Sequence, residues 1–177
     1  PTNWLSGRII KSRIGFSKSE TIRRGAASGG AITSILLYLL KSGKICGAVC
    51  LKMGAEVPYL AKPIIARTPE EIIECSQSVY SVSPVNTILS EIEEGEGPLA
   101  YVGLPDQVAS IRKLQKENHP SVKNISYVIG PYVGTQMYFE SIRSFLRSNG
   151  VDSEKEIVDL KYRAGEWPGK LRIELEN

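Results

Sequence analysis

The segment LAYVGLPDQVASIRKLQKENHPSVKNISYVIGPYVGTQMYFESIRSFLRSNG, residues 99–150, sets the architecture of this chain. Leu99–Gly103 is a short apolar run, Leu104-Pro105-Asp106-Gln107 reads as a turn, and Val108–Glu117 as a helix. Ile125–Gly130 is a second apolar run. The turn Pro131–Gly134 and a helix from Gln136 to Arg147 follow, closed by Ser148-Asn149-Gly150. Strand, turn and helix, repeated, is the pattern of right-handed crossover units on a parallel sheet. The fold class that follows is α/β, a mostly parallel or mixed sheet flanked by helices. Ligands of such sheets sit at the carboxyl ends of the strands. Gly103–Gln107 and Gly130–Gly134 therefore fall on one edge.

Upstream of that segment, Gly95-Glu96-Gly97-Pro98 breaks a helix expected over Val85–Glu94. Ser76–Pro84, SQSVYSVSP, is polar and without period. Thr68-Pro69-Glu70-Glu71 is a capping box with proline at the first helical position, opening a helix that ends near Cys75. Pro58–Arg67 reads as a strand whose Pro63 marks an edge or bend, and Ile45–Met53 as a strand of a mostly buried sheet. Downstream, Glu156–Tyr162 and Leu171–Glu176 flank the turn Gly165-Glu166-Trp167-Pro168-Gly169 and form a small C-terminal β ribbon. Residues 1–22 read as an irregular lead with a short strand around Arg8–Ile14. The domain organisation expected is a single α/β unit over 1–177, with its core over 23–152 and the ribbon over 153–177. The start at Pro1 and the stop just after a strand read as a piece of a longer chain.

The stretch RRGAASGGAITSILLYLL, Arg23–Leu40, adds a second organising feature. Two arginines run into the small-residue turn Gly25–Gly30 and then into a helix apolar over more than a narrow stripe, capped at its end by Gly43. Glycines let backbone approach a ligand, and a helix start offers unpaired N–H groups with the positive end of its dipole. Ser28 adds a hydroxyl donor or caps the helix, and Arg23 and Arg24 carry charge for a phosphate. An ordinary capped, tightly packed helix start accounts for the same residues, and no strict phosphate-loop or dinucleotide fingerprint is matched.

Composition narrows the chemistry. At 177 residues, 42% hydrophobic and 23% charged, the chain is ordinary for a soluble globular protein. A net charge of +3, from 22 basic against 19 acidic side chains, is too small to argue for nucleic acid. Cys46, Cys50 and Cys75 make no disulfide framework and no CxxC pair. Cys46 and Cys50, four apart on a strand, lie about 13 Å from one another, too far to share a metal, so both read as buried small apolar residues. No signal peptide or membrane span is visible, and a reducing cytoplasm is the default location. His119, the single histidine, reads as a surface residue capping a helix C-terminus. A Ser-His-Asp hydrolase, a cysteine protease and a zinc site are unsupported, and no metal ligands are assigned.

What remains is a binding site made of backbone and small polar groups: the 25–30 turn, Tyr80-Ser81-Val82-Ser83, and the 103–107 turn. That inventory suits a large planar cofactor with phosphates, which would carry the chemistry while the protein orients it. Each residue has a plainer reading beside the functional one. Tyr80 serves equally as a core aromatic, Ser81 and Ser83 as caps of the next helix, and Asp106 as a helix N-cap.

Four blocks in register resemble the coenzyme F420 hydrogenase/dehydrogenase beta subunit family. They are Arg24–Gly30 leading into a buried helix, ARTPEEIIECSQSVYSVSPV at 66–85, YVGLPDQVASIRKLQ at 101–115, and ISYVIGPYVG at 125–134 with GVD at 150–152. The resemblance implies a flavoprotein that holds FAD and passes a hydride or electrons between the flavin and coenzyme F420 or another hydride carrier. It works beside other redox subunits or in a homo-oligomer. Carried over by motif, Arg24, Ser28, Gly29 and Gly30 belong to the FAD site. Tyr80, Ser81 and Ser83 line the flavin pocket, and Gly103, Pro105, Asp106 and Gln107 lie at the adjoining sheet edge.

Three departures qualify that picture. The family shows Gly-Thr-Pro-Cys-Gln where this chain has Gly103-Leu104-Pro105-Asp106-Gln107, and often a cysteine near the position of Val133. Both cysteines are expected to help hold an iron–sulfur cluster, and a hard carboxylate alone does not rebuild a thiolate site. The family's lysine before the pocket tyrosine is Val79, which removes a cation that favours a reduced flavin anion. The alternative reading is thus a cluster-less, non-catalytic nucleotide-binding or assembly module on the same scaffold.

Overall fold

A computed structural model describes residues 7–93, 95–151 and 154–176. Four strands, β1 (Gly47–Met53), β2 (Ala61–Ala66), β3 (Leu99–Val102) and β4 (Ile125–Ile129), form one mixed sheet in the order β2-β1-β3-β4. β1 pairs with β3 and β3 with β4 in parallel, whereas β1 and β2 are antiparallel. The chemistry of the connections dictates these directions. Gly54, at φ +67°, turns the chain after β1, and its N–H bonds the Leu60 carbonyl at 3.0 Å, so β2 returns as a hairpin. Parallel neighbours need a crossover instead, and the helix Pro105–Lys116 supplies it between β3 and β4. Pro63 lies on β2, the edge strand, where a missing N–H costs no ladder bond on the outer side.

Five α-helices accompany the strands among the described residues: α1 (Glu20–Gly25), α2 (Ala31–Lys41), α3 (Pro69–Glu74), α4 (Pro105–Lys116) and α5 (Phe139–Ser148). None is long and apolar enough to cross a membrane. Because side chains alternate along a strand, the two faces of the sheet collect different residues. Ala48, Cys50 and Ala100 face Leu36, Leu37 and Leu39 of α2 and Ile72 of α3. Val49 and Tyr101 face Ile111 of α4, together with Val85, Ile88 and Val122. The third cluster joins Ile142 and Leu146 of α5 to Ile157, Leu160 and Tyr162 of the antiparallel ribbon β5 (Ile157–Ala164) and β6 (Lys170–Leu175). This is the α/β class with a C-terminal ribbon that the sequence implies.

Several local expectations are corrected. Residues 8–14 form no strand and are exposed throughout. Residues 85–91 form a 3₁₀ helix rather than an α-helix, and Glu94 lies outside the described residues. Val85 and Ile88, three apart and both buried, suit three residues per turn. Thr87 and Ser90 reinforce this by donating their hydroxyls three residues back, to the Pro84 and Thr87 carbonyls. Pro105-Asp106-Gln107 is the first turn of α4, not a preceding loop, since proline is pre-organised for a helix start. α5 begins at Phe139 instead of 136 because Met137 is held extended, its N–H on the Tyr80 carbonyl and its own carbonyl on the Val82 N–H, each at 3.0 Å. α2 is buried along one face only, with Ile35 and Tyr38 about half exposed or more (47% and 61%). Cys46 precedes β1 and is exposed, unlike Cys50. His119 does sit at the surface, but its Nδ1 accepts from the Ser121 N–H and so caps the next turn, Pro120–Val122.

One packing detail links the fold to the site. The buried Tyr101 hydroxyl donates to Asn86 Oδ1, and a Cβ placed on Gly103 would stand 2.5 Å from Tyr101 Cε1. Glycine at the end of β3 is thus required by the ring beside it.

Two consequences can be measured. Ile111 is fully buried, so Ile111→Ala should lower the urea-unfolding free energy by about 2–4 kcal/mol. Ile10→Ala, at a site 90% exposed, should change it by no more than about 0.5 kcal/mol. Burial, assisted by the charge of Asp106, pushes the Tyr101 phenol up to about 12. An unfolded tyrosine ionises near pH 10. The folded state therefore holds a proton that the unfolded state releases, and stability falls as pH rises through that window. The stability difference between wild type and Tyr101→Phe should be full below about pH 10 and narrow progressively toward pH 12.

Candidate functional site

At the carboxyl ends of β3 and β4 the chain encloses a cavity of about 490 Å³, in the range of small-molecule sites. Its floor is apolar, made by Leu36 of α2, Ile72 of α3, Cys50 and Leu51 of β1 and Val102 of β3. Its rim comes from loops that the sheet topology brings together: 26–30, 75–81, 103–104 and 131–133, with Arg163 reaching in from β5. This is the edge at which parallel α/β sheets gather ligands.

The 26–33 segment is built around Gly30, which is the N-cap of α2 in a left-handed conformation, φ 71° and ψ 19°. A Cβ there would approach Ile22 and Ser17 within 3.1–3.3 Å, so both conformation and space require glycine. Gly29 is held from outside, its carbonyl accepting the Ser17 N–H at 2.7 Å. Because Gly30 has no side chain, nothing caps α2, and its first intrahelical bond runs from the Ser34 N–H to the Gly30 carbonyl. Ala31, Ile32 and Thr33, whose N–H groups precede that bond, all line the cavity. Ser28 is exposed at the lip and does not cap the helix. Arg24 is not part of the lining, being ion-paired to Glu20 at 2.6 Å on the solvent side of α1. Arg23 stacks over Phe16, with its guanidinium carbon 5.2 Å from the ring centre.

The 75–83 segment forms the facing wall. Gln77 adopts φ +98°, a conformation costly for a residue with a side chain. Its Nε2 donates to the Gly25 carbonyl at 2.7 Å, tying this wall to the 25–30 turn, while its Oε1 is buried without a partner. Tyr80 lines the cavity and packs edge-on to Tyr162, centroids 5.6 Å apart, so it is core aromatic and wall together. Ser81 is bridged to Met137. The buried Ser83 donates to the Ser81 carbonyl at 3.2 Å, and neither serine caps the next helix.

Gln107 spans the remaining gap. Its Oε1 accepts the Leu104 N–H at 2.9 Å and its Nε2 donates to the Ser83 carbonyl at 3.2 Å, locking the start of α4 to the serine-rich wall. Gly103 lines the cavity with it, whereas Pro105 and Asp106 are exposed outside the lining. Asp106 is not the N-cap, a place held by Leu104, and instead complements the dipole from the first turn. Thus Ser28, Gly29, Gly30, Tyr80, Ser81, Ser83, Gly103 and Gln107 meet around one space, and Arg24, Pro105 and Asp106 do not.

Among the lining residues that escape a reading of the sequence are Cys50, Cys75, Gln77 and Arg163. Arg163 is the only charged residue in the described lining, and its Nε donates to the Pro168 carbonyl at 2.8 Å. No signal marks it, because the ribbon that delivers it is distant in sequence. Gln77 is equally silent, since left-handed backbone is not expected of glutamine. Among the described residues no group of three or more His, Cys, Asp or Glu side chains gathers as a metal site.

Comparison with known proteins matches this arrangement to one family, described as coenzyme F420 hydrogenase/dehydrogenase, beta subunit. Residues 14–90 match its amino-terminal part and residues 97–177 its carboxyl-terminal part. A coenzyme F420-dependent sulfite reductase of Methanocaldococcus jannaschii is 30% identical over 75% of this chain and 23% of its own length. The coenzyme F420 hydrogenase subunit beta of Methanosarcina barkeri is 25% identical over 91% of this chain and 57% of its own length. A 7-hydroxymethyl chlorophyll a reductase of rice is 27% identical over 76% and 28% respectively. The chain thus spans between about a quarter and somewhat over half the length of these relatives. In solved structures, a chain of the F420-reducing NiFe hydrogenase complex from Methanosarcina barkeri shares the fold, with a TM-score of 0.71 at 21% identity. That likeness covers 90% of this chain and 58% of the other. With both family segments matched in order along the cavity-bearing sheet and ribbon, the chain belongs to the coenzyme F420 hydrogenase/dehydrogenase beta subunit family.

Proposed function

We propose that this chain is the FAD-binding domain of an F420-dependent oxidoreductase, in which a hydride or electrons pass between flavin and coenzyme F420. The observation that carries the reading is the uncapped start of α2, opening into a cavity whose described lining holds one arginine and no carboxylate. Such a start attracts a diphosphate through its N–H groups and dipole, and the absence of acidic side chains leaves that attraction unopposed. The residues present fit a flavin nucleotide. Apolar Leu36, Leu51, Ile72 and Val102 offer a floor for a planar ring system, and Tyr80 an aromatic wall.

When bound, the flavin supplies two-electron hydride chemistry that no side chain here provides. The chain's own residues bind and orient. Gly30 brings the backbone close, Ser28 offers a hydroxyl at the lip, and Gln77 and Gln107 fix the two walls against each other through the Gly25 and Ser83 carbonyls. Arg163, from the ribbon, supplies a positive charge to a cavity whose Val79 replaces the family's lysine. A cation there favours an anionic reduced cofactor. Redox partner subunits are the natural neighbours for such a domain. The second reading, a nucleotide-binding module without electron transfer, is favoured by Asp106, which lies outside the cavity lining where the family's cluster cysteine is expected.

The chain should take up FAD, with flavin fluorescence quenched on binding. Ser28→Asp, which places a carboxylate beside the helix start, should weaken uptake by about tenfold, with the thermal midpoint unchanged. Equal affinity of the variant would remove the 26–33 turn from the site. Anaerobic addition of reduced F420 to the flavin-loaded chain should bleach the flavin absorbance. Bound flavin that stays oxidised under both reduced F420 and NAD(P)H identifies the non-catalytic module.

A further inference from the structure

Cys50 and Cys75 are 25 positions apart in the sequence and stand together in the fold. Cys50 points from β1 into the α2–α3 side of the sheet, and Cys75 is the C-cap residue of α3. Cys50 belongs to the apolar cluster of Leu36, Ile72 and Ala100, Cys75 packs against that cluster, and both line the cavity. The neighbouring ion pair, Lys52 to Glu74 at 2.6 Å, clamps the same strand to the same helix end. Cys46, the third cysteine, is exposed, lies against Gly97 and is not part of the cavity lining.

We infer that Cys50 and Cys75 form a redox-active dithiol in the cavity wall, which closes to a disulfide by exchange with a small external disulfide that leaves as two thiols, and reopens by taking two electrons from the reduced flavin bound beside it. The second half of this inference rests on the flavin reading above. The two thiols are not equivalent. The neighbouring Cys50 thiol holds the Cys75 thiol below the ordinary range, helped by the Lys52 charge, and the same neighbour relation with burial pushes Cys50 up. Cys75, half-buried where Cys50 is buried, is the thiol that an external disulfide reaches, so it is the nucleophile in thiol–disulfide exchange and Cys50 the resolving partner. In the reductive direction the Sγ–Sγ bond breaks as two electrons and a proton arrive from the reduced flavin. A second proton comes from water, both cysteines end as thiols, and the flavin is left oxidised. Closure brings the two sulfurs to the disulfide distance of about 2.05 Å.

The test begins without flavin. The chain is equilibrated in glutathione buffers of graded oxidation, quenched in acid, alkylated after denaturation and digested for mass spectrometry. A Cys50–Cys75 linked peptide should appear as the buffer becomes oxidising and vanish on its reversal, while no linkage involves Cys46. Alkylated Cys50 and Cys75 at every ratio, or linkage through Cys46 instead, overturns the couple. The oxidised chain is then loaded with FAD under anaerobic conditions, the flavin is photoreduced, and free thiols are counted. The count should rise from one to three per chain, all three cysteines then being reduced. Bound, reduced flavin with the count fixed at one overturns the electron exchange. A chain that binds no flavin fails the flavin reading and this second half with it, and the first measurement still decides the dithiol by itself.

Discussion

Everything about this molecule follows from the parallel pairing of β3 on both its edges, with β1 on one side and β4 on the other. A strand bonded this way needs crossover connections, and helices must then cover the sheet. Leu99, Ala100 and Tyr101 are consequently fully buried, and the loops after β3 and β4 open on the same edge. The cavity is the outcome of that geometry, with the start of α2 supplying one wall and the serine-rich segment the other.

Rigidity around the cavity comes from backbone carbonyls held by amide side chains more than from ion pairs. Gln77 holds Gly25, and Gln107 holds Ser83. Amides suit this task because each presents a donor and an acceptor without bringing a charge into the cavity. The charged pairs, such as Arg24–Glu20 and Arg67–Glu96, contribute no side chain to the described lining. The left-handed Gln77 is strained, and its Oε1 is buried without a partner. Strain and an unsatisfied acceptor are thus concentrated in one wall of the cavity.

The ribbon couples the site to a layer beyond the sheet. Its cluster reaches Val79 and Tyr80, so the wall of the cavity is partly core of that second layer. Through Tyr162 it steadies Tyr80, and through Arg163 it delivers the one charged group in the described lining. A change in ribbon packing therefore reaches the site without touching the 26–33 turn.

Local chemistry made much of this legible in advance. The capping box at Thr68–Glu71, the apolar strands at Leu99 and Ile125, the edge role of Pro63 and the glycine helix start at Gly30 each depend on nearby residues only. Their physical rules act over a few positions, which is why sequence by itself determined the α/β class and the edge where Ser28–Gly30 and Gly103 meet. Other features were decided by tertiary structure. Met137 lost its place in α5 because its backbone bonds the Tyr80–Val82 segment, and Arg24 pairs with Glu20, one helical turn earlier, outside the cavity lining. Gln77, Arg163 and the contact between Cys50 and Cys75 arise where elements remote in the chain converge. Such meetings are set by packing over long sequence separation, and no periodicity or local motif encodes them.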